Sequence, residues 1–215
     1  MYKAVLWDFG GVITSSPFEA FNRFEESHAL PIDFIRTVNS VNPESNAWAQ
    51  LESNQISLIE FDEIFAQEAL ALGQTVRGQS VLDLLAGSIR PEMVGALKLI
   101  KSRYKIACIT NNVKPASSAT SSDEPISQKK KEMTDVLSIF DLVIESSKAG
   151  IRKPDPQIYL MTCEALNIEP SEAIFLDDLG INLKPARALG MTTIKVGEAA
   201  PALETLSSLL KMDLS

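Results

Sequence analysis

The sequence has a single histidine, His28, and only two cysteines, Cys108 and Cys163. So few imidazoles and thiolates exclude the common zinc arrangements, which need several at fixed spacing. They also exclude a disulfide framework. Cys108 lies in an apolar run and Cys163 in a helical pattern, as expected for buried, reduced thiols of a cytoplasmic protein. Positive charge is in deficit: 20 Lys and Arg against 28 Asp and Glu give a formal net charge of -8. A sequence-independent grip on nucleic acid needs the opposite balance, so nucleic acid is not an expected partner. A small phosphorylated metabolite remains open, because a bound cation can reverse the field inside one cleft. No apolar run approaches the roughly 18 residues of a membrane-crossing helix, so no membrane partner is expected. The N-terminus is unlike a secretory leader. Internal repeats are also lacking.

What is present begins with five short apolar runs: Lys3 to Asp8, Lys105 to Thr110, Asp141 to Glu145, Ala173 to Asp177 and Thr192 to Val196. Each is too short for a helix and reads as a strand buried on both faces, as in a parallel sheet. Amphipathic patterns separate the later runs, over Pro91 to Arg103, Pro156 to Leu166, Asn182 to Leu189 and Pro201 to Met212. Alternating strand and helix predicts an α/β fold with a doubly wound, Rossmann-like parallel sheet, which binds ligands at the carboxyl ends of its strands.

The chain between the first two strands is far too long for one crossover helix. Phe18 to His28, Pro31 to Val41, Ala47 to Ser53, Leu58 to Leu72 and Val81 to Ala86 all carry helical spacing. The expectation is an α/β core of residues 1–14 and 91–215, with residues 15–90 inserted as an all-helical domain. A second irregular stretch, Val113 to Lys131, is rich in Ser, Pro and charge. It reads as a solvated, mobile loop. A flap over the site is the alternative.

Three predicted strands end in notable polar groups. Asp8 is followed by Phe9-Gly10-Gly11, the second strand ends in Thr110-Asn111-Asn112, and the fourth in Asp177-Asp178. Parallel strands bring these ends to one rim. Three carboxylates there repel unless a cation holds them. An oxygen-only set suits Mg²⁺ better than Zn²⁺. Gly-Gly permits a sharp turn close to a ligand. Thr110 and Asn111 offer donors to phosphoryl oxygens. Lys153, between Arg152 and Pro154, sits in a proline-stiffened loop and can steady both a nucleophile and a transferring charge.

WDFGGV, ITNN, GIRKPDPQIY and IFLDDLGINLKPARALGMTTIKV together resemble the four motifs of the haloacid dehalogenase superfamily, in its members with a helical cap after the first strand. The pattern is most similar to the N-terminal phosphatase domain of soluble epoxide hydrolases and to the related domain of acyl-CoA dehydrogenase fusions. The resemblance spans essentially the whole chain. It implies a hydrolase, a Mg²⁺-dependent phosphatase of small phosphate monoesters. Asp8 is then the nucleophile that forms an aspartyl-phosphate, Thr110 and Asn111 bind the phosphoryl group, and Lys153 is the catalytic cation. Asp8, the Gly10 carbonyl and Asp178 become metal ligands, with Asp177 behind them or acting through a water. The sequence leaves open which of Asp177 and Asp178 touches the metal.

One position departs from the family. Most family phosphatases carry a second Asp two residues after the nucleophile, as general acid and base; this chain has Gly10. The proton must come from water, from the substrate or from a cap residue such as His28, Glu44 or Glu52. Two other readings follow: a dehalogenase-type hydrolase at the same Asp8, or a catalytically weak binding or regulatory module. The resemblance assigns substrate choice to the cap, where Trp48, Glu52 and Asn54 are the candidates. Trp48 equally suits the insert's core, as do Phe18, Phe21, Phe24, Phe34, Phe61 and Phe65 at helical spacing. His28 reads as an exposed helix-end residue.

Overall fold

The structure, a computed structural model, describes residues 1–85, 87–112 and 128–214. Five strands form one sheet: β1 (Ala4–Trp7), β2 (Lys105–Thr110), β3 (Leu142–Glu145), β4 (Ala173–Asp177) and β5 (Thr192–Lys195). Each agrees with its apolar run to within one residue at either end. The order is β3-β2-β1-β4-β5 and every pairing is parallel. In register, Leu6 lies beside Ala107 of β2 and Phe175 of β4. The winding reverses at β1, so the crevice that such sheets use for ligands opens at the carboxyl end of β1.

Alternate strand residues feed opposite faces. Val5, Trp7, Ile106, Cys108, Ile174 and Leu176 pack under α6 (Pro91–Lys101) and α11 (Ala199–Leu210), through Met93, Leu97, Leu203 and Leu206. Leu6, Ala107, Ile109 and Phe175 pack under α9 (Pro156–Leu166) and α10 (Gly180–Ala188), through Ile158, Tyr159 and Leu183. Burial on both faces is why these strands carry nearly unbroken apolar runs.

A third apolar cluster belongs to the helices between β1 and β2. These are α1 (Phe18–Ser27), α2 (Phe34–Ser40), α3 (Ala47–Glu52), α4 (Leu58–Ala71) and α5 (Gly78–Leu82). Phe21, Phe34, Phe61 and Phe65 are buried there. A bridge between Thr14 and Ile89 joins the two chain segments that lead into and out of this cluster, reinforced by Ser15 N–H on the Ser88 carbonyl at 2.7 Å.

Several helices depart from the sequence pattern for visible reasons. The pattern starts a helix at Pro31, yet α2 begins at Phe34. The buried Glu25 carboxylate takes the N–H groups of Asp33 and Ile35, fixing the helix start from a distance that periodicity cannot register. Helix α5 starts at Gly78 rather than Val81 because Asp62 accepts the Gln79 N–H, and its last turn tightens into a 3₁₀ turn over Asp83–Leu85. The composition predicts irregular chain as far as Lys131, but α7 (Gln128–Leu137) begins inside that stretch. Gln, Lys and Glu are good helix formers, and their charge conceals the apolar stripe that buries Val136. The remainder, residues 113–127, and the flap assigned to it lie outside the described residues. A single turn, α8 (Ser146–Ala149), is too short for periodicity to reveal. No described helix is long and apolar enough to cross a membrane.

Candidate active site

The first turn after β1 creates the site. Asp8 follows the last residue of β1, and its Oδ1 accepts the Phe9 N–H at 2.7 Å, so the carboxylate is held beside its own turn. Gly11 has φ of 73°, a left-handed conformation that glycine takes at no steric cost. A Cβ at Gly11 would lie 2.2 Å from Asp178 Oδ2. Glycine is therefore required twice, for the turn and for the approach of Asp178. At Gly10 a Cβ would meet nothing within 4 Å.

Asp177, at the end of β4, is completely buried. One oxygen accepts the Leu179 N–H at 2.8 Å, and Asn182 Nδ2 lies 3.1 Å from both. The Asn182 carbonyl accepts the Tyr159 hydroxyl at 2.8 Å, which anchors the first turn of α10 against α9. Lys153 enters from the loop before α9. Asp155 caps that helix by accepting the Gln157 N–H, and Pro156 occupies its first turn. Lys153 is 1% exposed, and its Nζ lies 2.8 Å from Asp8 Oδ1 and 2.7 Å from Asp177 Oδ2.

The electrostatics follow from this packing. Burial raises the Asp8 carboxyl to about 8, with Asp177 and Asp178 adding to the rise and Lys153 opposing it. Burial and then Asp177 lift Asp178 to about 6, against Lys153 and Arg90. Burial alone would favour a neutral Lys153, but Asp8 and Asp177 overcome it and raise its pKa above the ordinary lysine value. One ammonium thus serves three carboxylates. Oxygens of Asp8, Asp177 and Asp178 lie within 4.8 Å of one another, an all-carboxylate set with the chemistry of a hard divalent cation.

The other residues expected at the site are arranged unequally. Thr110 ends β2, beside β1, and is half-buried. Asn111 follows, but its amide is occupied: Oδ1 accepts the Lys153 N–H at 2.9 Å, and Nδ2 donates to the Lys153 carbonyl at 3.0 Å and to Glu52 at 3.2 Å. Trp48 packs edge-on against Phe61 at 5.4 Å and donates through Nε1 to Glu52 at 3.0 Å. Asn54 is exposed in a left-handed turn beyond α3, and Glu44 is exposed as well. His28 is exposed at the end of α1, stacked on Phe24.

Three residues of this neighbourhood were not singled out by sequence reasoning. Asn182 binds Asp177, Arg152 meets Glu52, and the fully buried Ser146 donates to the Glu52 carbonyl at 2.7 Å. Asn182 and Arg152 fall inside the long third and fourth motifs, and a polar Asn among apolar residues was an available signal for the first. Ser146 carried none.

The fold and site define a class, an α/β enzyme with a strand-end aspartate held by a buried lysine beside two further aspartates. The chain belongs to the haloacid dehalogenase-like hydrolase family, whose model matches residues 2–190. It is 34% identical to acyl-CoA dehydrogenase family member 10 of Mus musculus, over 99% of this chain and 20% of that protein. It is 32% identical to bifunctional epoxide hydrolase 2 of Mus musculus, over 95% of this chain and 38% of that protein. The chain thus spans well under half the length of these two relatives. A phosphorylated carbohydrates phosphatase of Thermotoga maritima is 26% identical over 89% of this chain and 83% of its own. The fold is shared with a family enzyme of Bacteroides thetaiotaomicron solved with magnesium and inorganic phosphate. There the TM-score is 0.58 and the identity 19%, over 91% of this chain and 94% of the other.

Proposed function

We propose that this hydrolase is a Mg²⁺-dependent phosphatase of small phosphate monoesters, acting through an aspartyl-phosphate at Asp8. The observation that carries the reading is the carboxylate trio around Lys153. Displacement of halide needs no metal, and would leave Asp178 beside Asp8 without a purpose. In this reading residues 15–90 are a cap over a core of residues 1–14 and 91–215. Trp48 and Glu52 on α3 are the cap residues assigned to substrate choice.

Asp8 attacks phosphorus, the ester P–O bond breaks, and the leaving group departs with a proton drawn from water or from the substrate. Water then cleaves the acyl-phosphate to return Asp8 and inorganic phosphate. Lys153 holds Asp8 in place and balances charge gathering on the phosphoryl oxygens. Thr110 contributes its hydroxyl to those oxygens. Asn111 contributes from its main chain, since its amide is already engaged. Asp177 is taken up by Lys153, Leu179 and Asn182, so the residues that would hold Mg²⁺ directly are Asp178, Asp8 and the Gly10 carbonyl. Bound Mg²⁺ supplies further neutralisation of phosphoryl charge. The two buried, free thiols fit a reducing compartment, and we place the protein in the cytoplasm.

Gly10 favours a second reading, a weakly catalytic module that binds phosphorylated ligands, because general acid–base catalysis at that position is typically worth about 10²–10⁴-fold. One experiment separates the readings: phosphate release from a panel of small phosphate esters, with and without Mg²⁺, for the natural chain and for Asp8→Asn. Metal-dependent release that is lost in Asp8→Asn is expected. Release that survives the substitution, or binding of Mg²⁺ and phosphate with no ester turned over, sinks the phosphatase reading.

A further inference from the structure

The helical insert meets the loops at the sheet's rim at a point separate from the bridge at Thr14 and Ile89. Glu52, the last residue of α3, is 7% exposed although it carries a carboxylate. Its carbonyl accepts the Ser146 hydroxyl at 2.7 Å. Its Oε2 lies 2.8 Å from Arg152 Nε, as a close ion pair rather than an aligned hydrogen bond. Asn111 Nδ2 donates to the same oxygen and Trp48 Nε1 to the other. Arg152 reaches the insert a second time, donating to the Pro43 carbonyl at 3.1 Å.

These contacts do not stop at the junction. The Asn111 amide that reaches Glu52 also closes on the main chain of Lys153 through two hydrogen bonds. The Lys153 ammonium then stands between Asp8 and Asp177. An unbroken set of polar contacts therefore runs from the insert to Asp8 through two intermediates. The residue next to Lys153, Arg152, meets the same Glu52 oxygen as Asn111 does.

We propose that Glu52 is a positioning residue for the chemistry at Asp8: it fixes Asn111 and Arg152, and through them the segment carrying Lys153, when the insert is seated on the core. This rests on the phosphatase reading and gives Glu52 a part besides substrate choice. A general-acid role suits it poorly. Burial raises its carboxyl above the ordinary range, but Arg152, Trp48 and Asn111 all present positive charge or N–H groups to it. Both of its oxygens are already engaged, Oε2 by Asn111 and Arg152 and Oε1 by Trp48, so neither is free to meet a leaving group.

The test uses the full chain with Mg²⁺ and two variants that remove the ion pair, Glu52→Gln, which is near-isosteric, and Arg152→Gln, which is shorter. Hydrogen exchange is followed in peptides covering residues 146–155, and hydrolysis of p-nitrophenyl phosphate is measured in parallel. We expect exchange there to become about ten-fold faster in both variants while peptides of the sheet stay protected. We expect kcat to fall about ten-fold with KM little changed. The double variant should lose clearly less than the sum of the two single ones, because they share the Glu52–Arg152 contact. Unchanged exchange in both variants overturns the proposal, as does additive loss in the double variant. If the natural chain hydrolyses no ester, the phosphatase reading fails by itself. The exchange measurement still decides whether Glu52 holds the Lys153 segment.

Discussion

The ammonium of Lys153 lies 2.8 Å from Asp8 while the lysine itself is 1% exposed. A buried cation of this kind is held by its partners and holds them in turn. Lys153→Met keeps the length of the side chain and removes the charge, leaving Asp8 and Asp177 buried without it. Breaking a buried pair from one side costs about 3–5 kcal/mol. For a chain of this size that lowers Tm by roughly 10 °C. Calorimetry in the absence of metal measures it, and phosphate release should vanish. Adding Asp8→Asn to Lys153→Met should restore part of the lost stability, because it removes one of the two buried carboxyl groups left without their cation. No restoration would mean that the loss is one of packing alone.

Gly11 gives a prediction about the metal. A methyl group at this position meets the Asp178 carboxylate at 2.2 Å and must also adopt a φ of 73°. Gly11→Ala therefore displaces Asp178 from the trio. In the natural chain, Mg²⁺ at 100 times its Kd should add about 2.7 kcal/mol of stability, read as a rise in Tm. The Gly11→Ala variant should lose most of that rise while its sheet remains folded by circular dichroism. An undiminished rise would place the metal away from Asp178.

Much of this was legible in the chain itself, and the division has physical causes. The strands were legible because burial on both faces forces apolar runs, and their parallel pairing brings Asp8, Thr110 and Asp177 to one rim. The family was legible in the long third and fourth motifs. Spacing did not reveal the contacts made across the fold. Glu25 sets the start of α2 from eight and ten residues away, and Asp62 sets the start of α5. Ser146 and Arg152 matter through Glu52, nearly a hundred residues earlier in the chain. Asn111 reads as a free donor in the sequence, yet its amide is bound to the main chain of Lys153.

The junction of α4 and α5 predicts a pH effect on stability. Asp62 accepts Arg77 Nε at 3.1 Å and the Gln79 N–H at 2.9 Å, and these bonds hold its carboxyl below the ordinary range, Arg77 contributing most. A depressed folded pKa means that the folded state prefers the anion. The stabilisation is complete above the unfolded value of about 3.9 and is lost as pH falls through the lower folded value. Asp62→Asn keeps an oxygen for the Gln79 N–H and loses the charge that faces the exposed Arg77, so it should cost at most about 1 kcal/mol at neutral pH, the upper scale for an exposed ion pair. That corresponds to a Tm lowered by at most roughly 3 °C. The gap between variant and natural chain should close near pH 2. A gap of equal size at both pH values would show that packing, not charge, is what Asp62 contributes.

The last prediction concerns the missing carboxylate. A side chain at Gly10 meets nothing within 4 Å of its Cβ, and the backbone there lies outside the left-handed region. Gly10→Asp should therefore fold with an unchanged Tm to within about 1 °C, as for a substitution in open space. Its effect on rate depends on the leaving group. An aryl phosphate expels a phenoxide that needs little help from an acid, so p-nitrophenyl phosphate should be hydrolysed at nearly the same rate by both proteins. An alkyl phosphate expels an alkoxide that must be protonated, and a general acid there is worth about 10²–10⁴-fold in favourable geometry. The ratio of alkyl to aryl turnover should rise about ten-fold or more in the variant. An unchanged ratio, in a folded variant that still binds Mg²⁺, would mean that another group already protonates the leaving oxygen. Gly10 would then mark a relocated acid rather than a lost one.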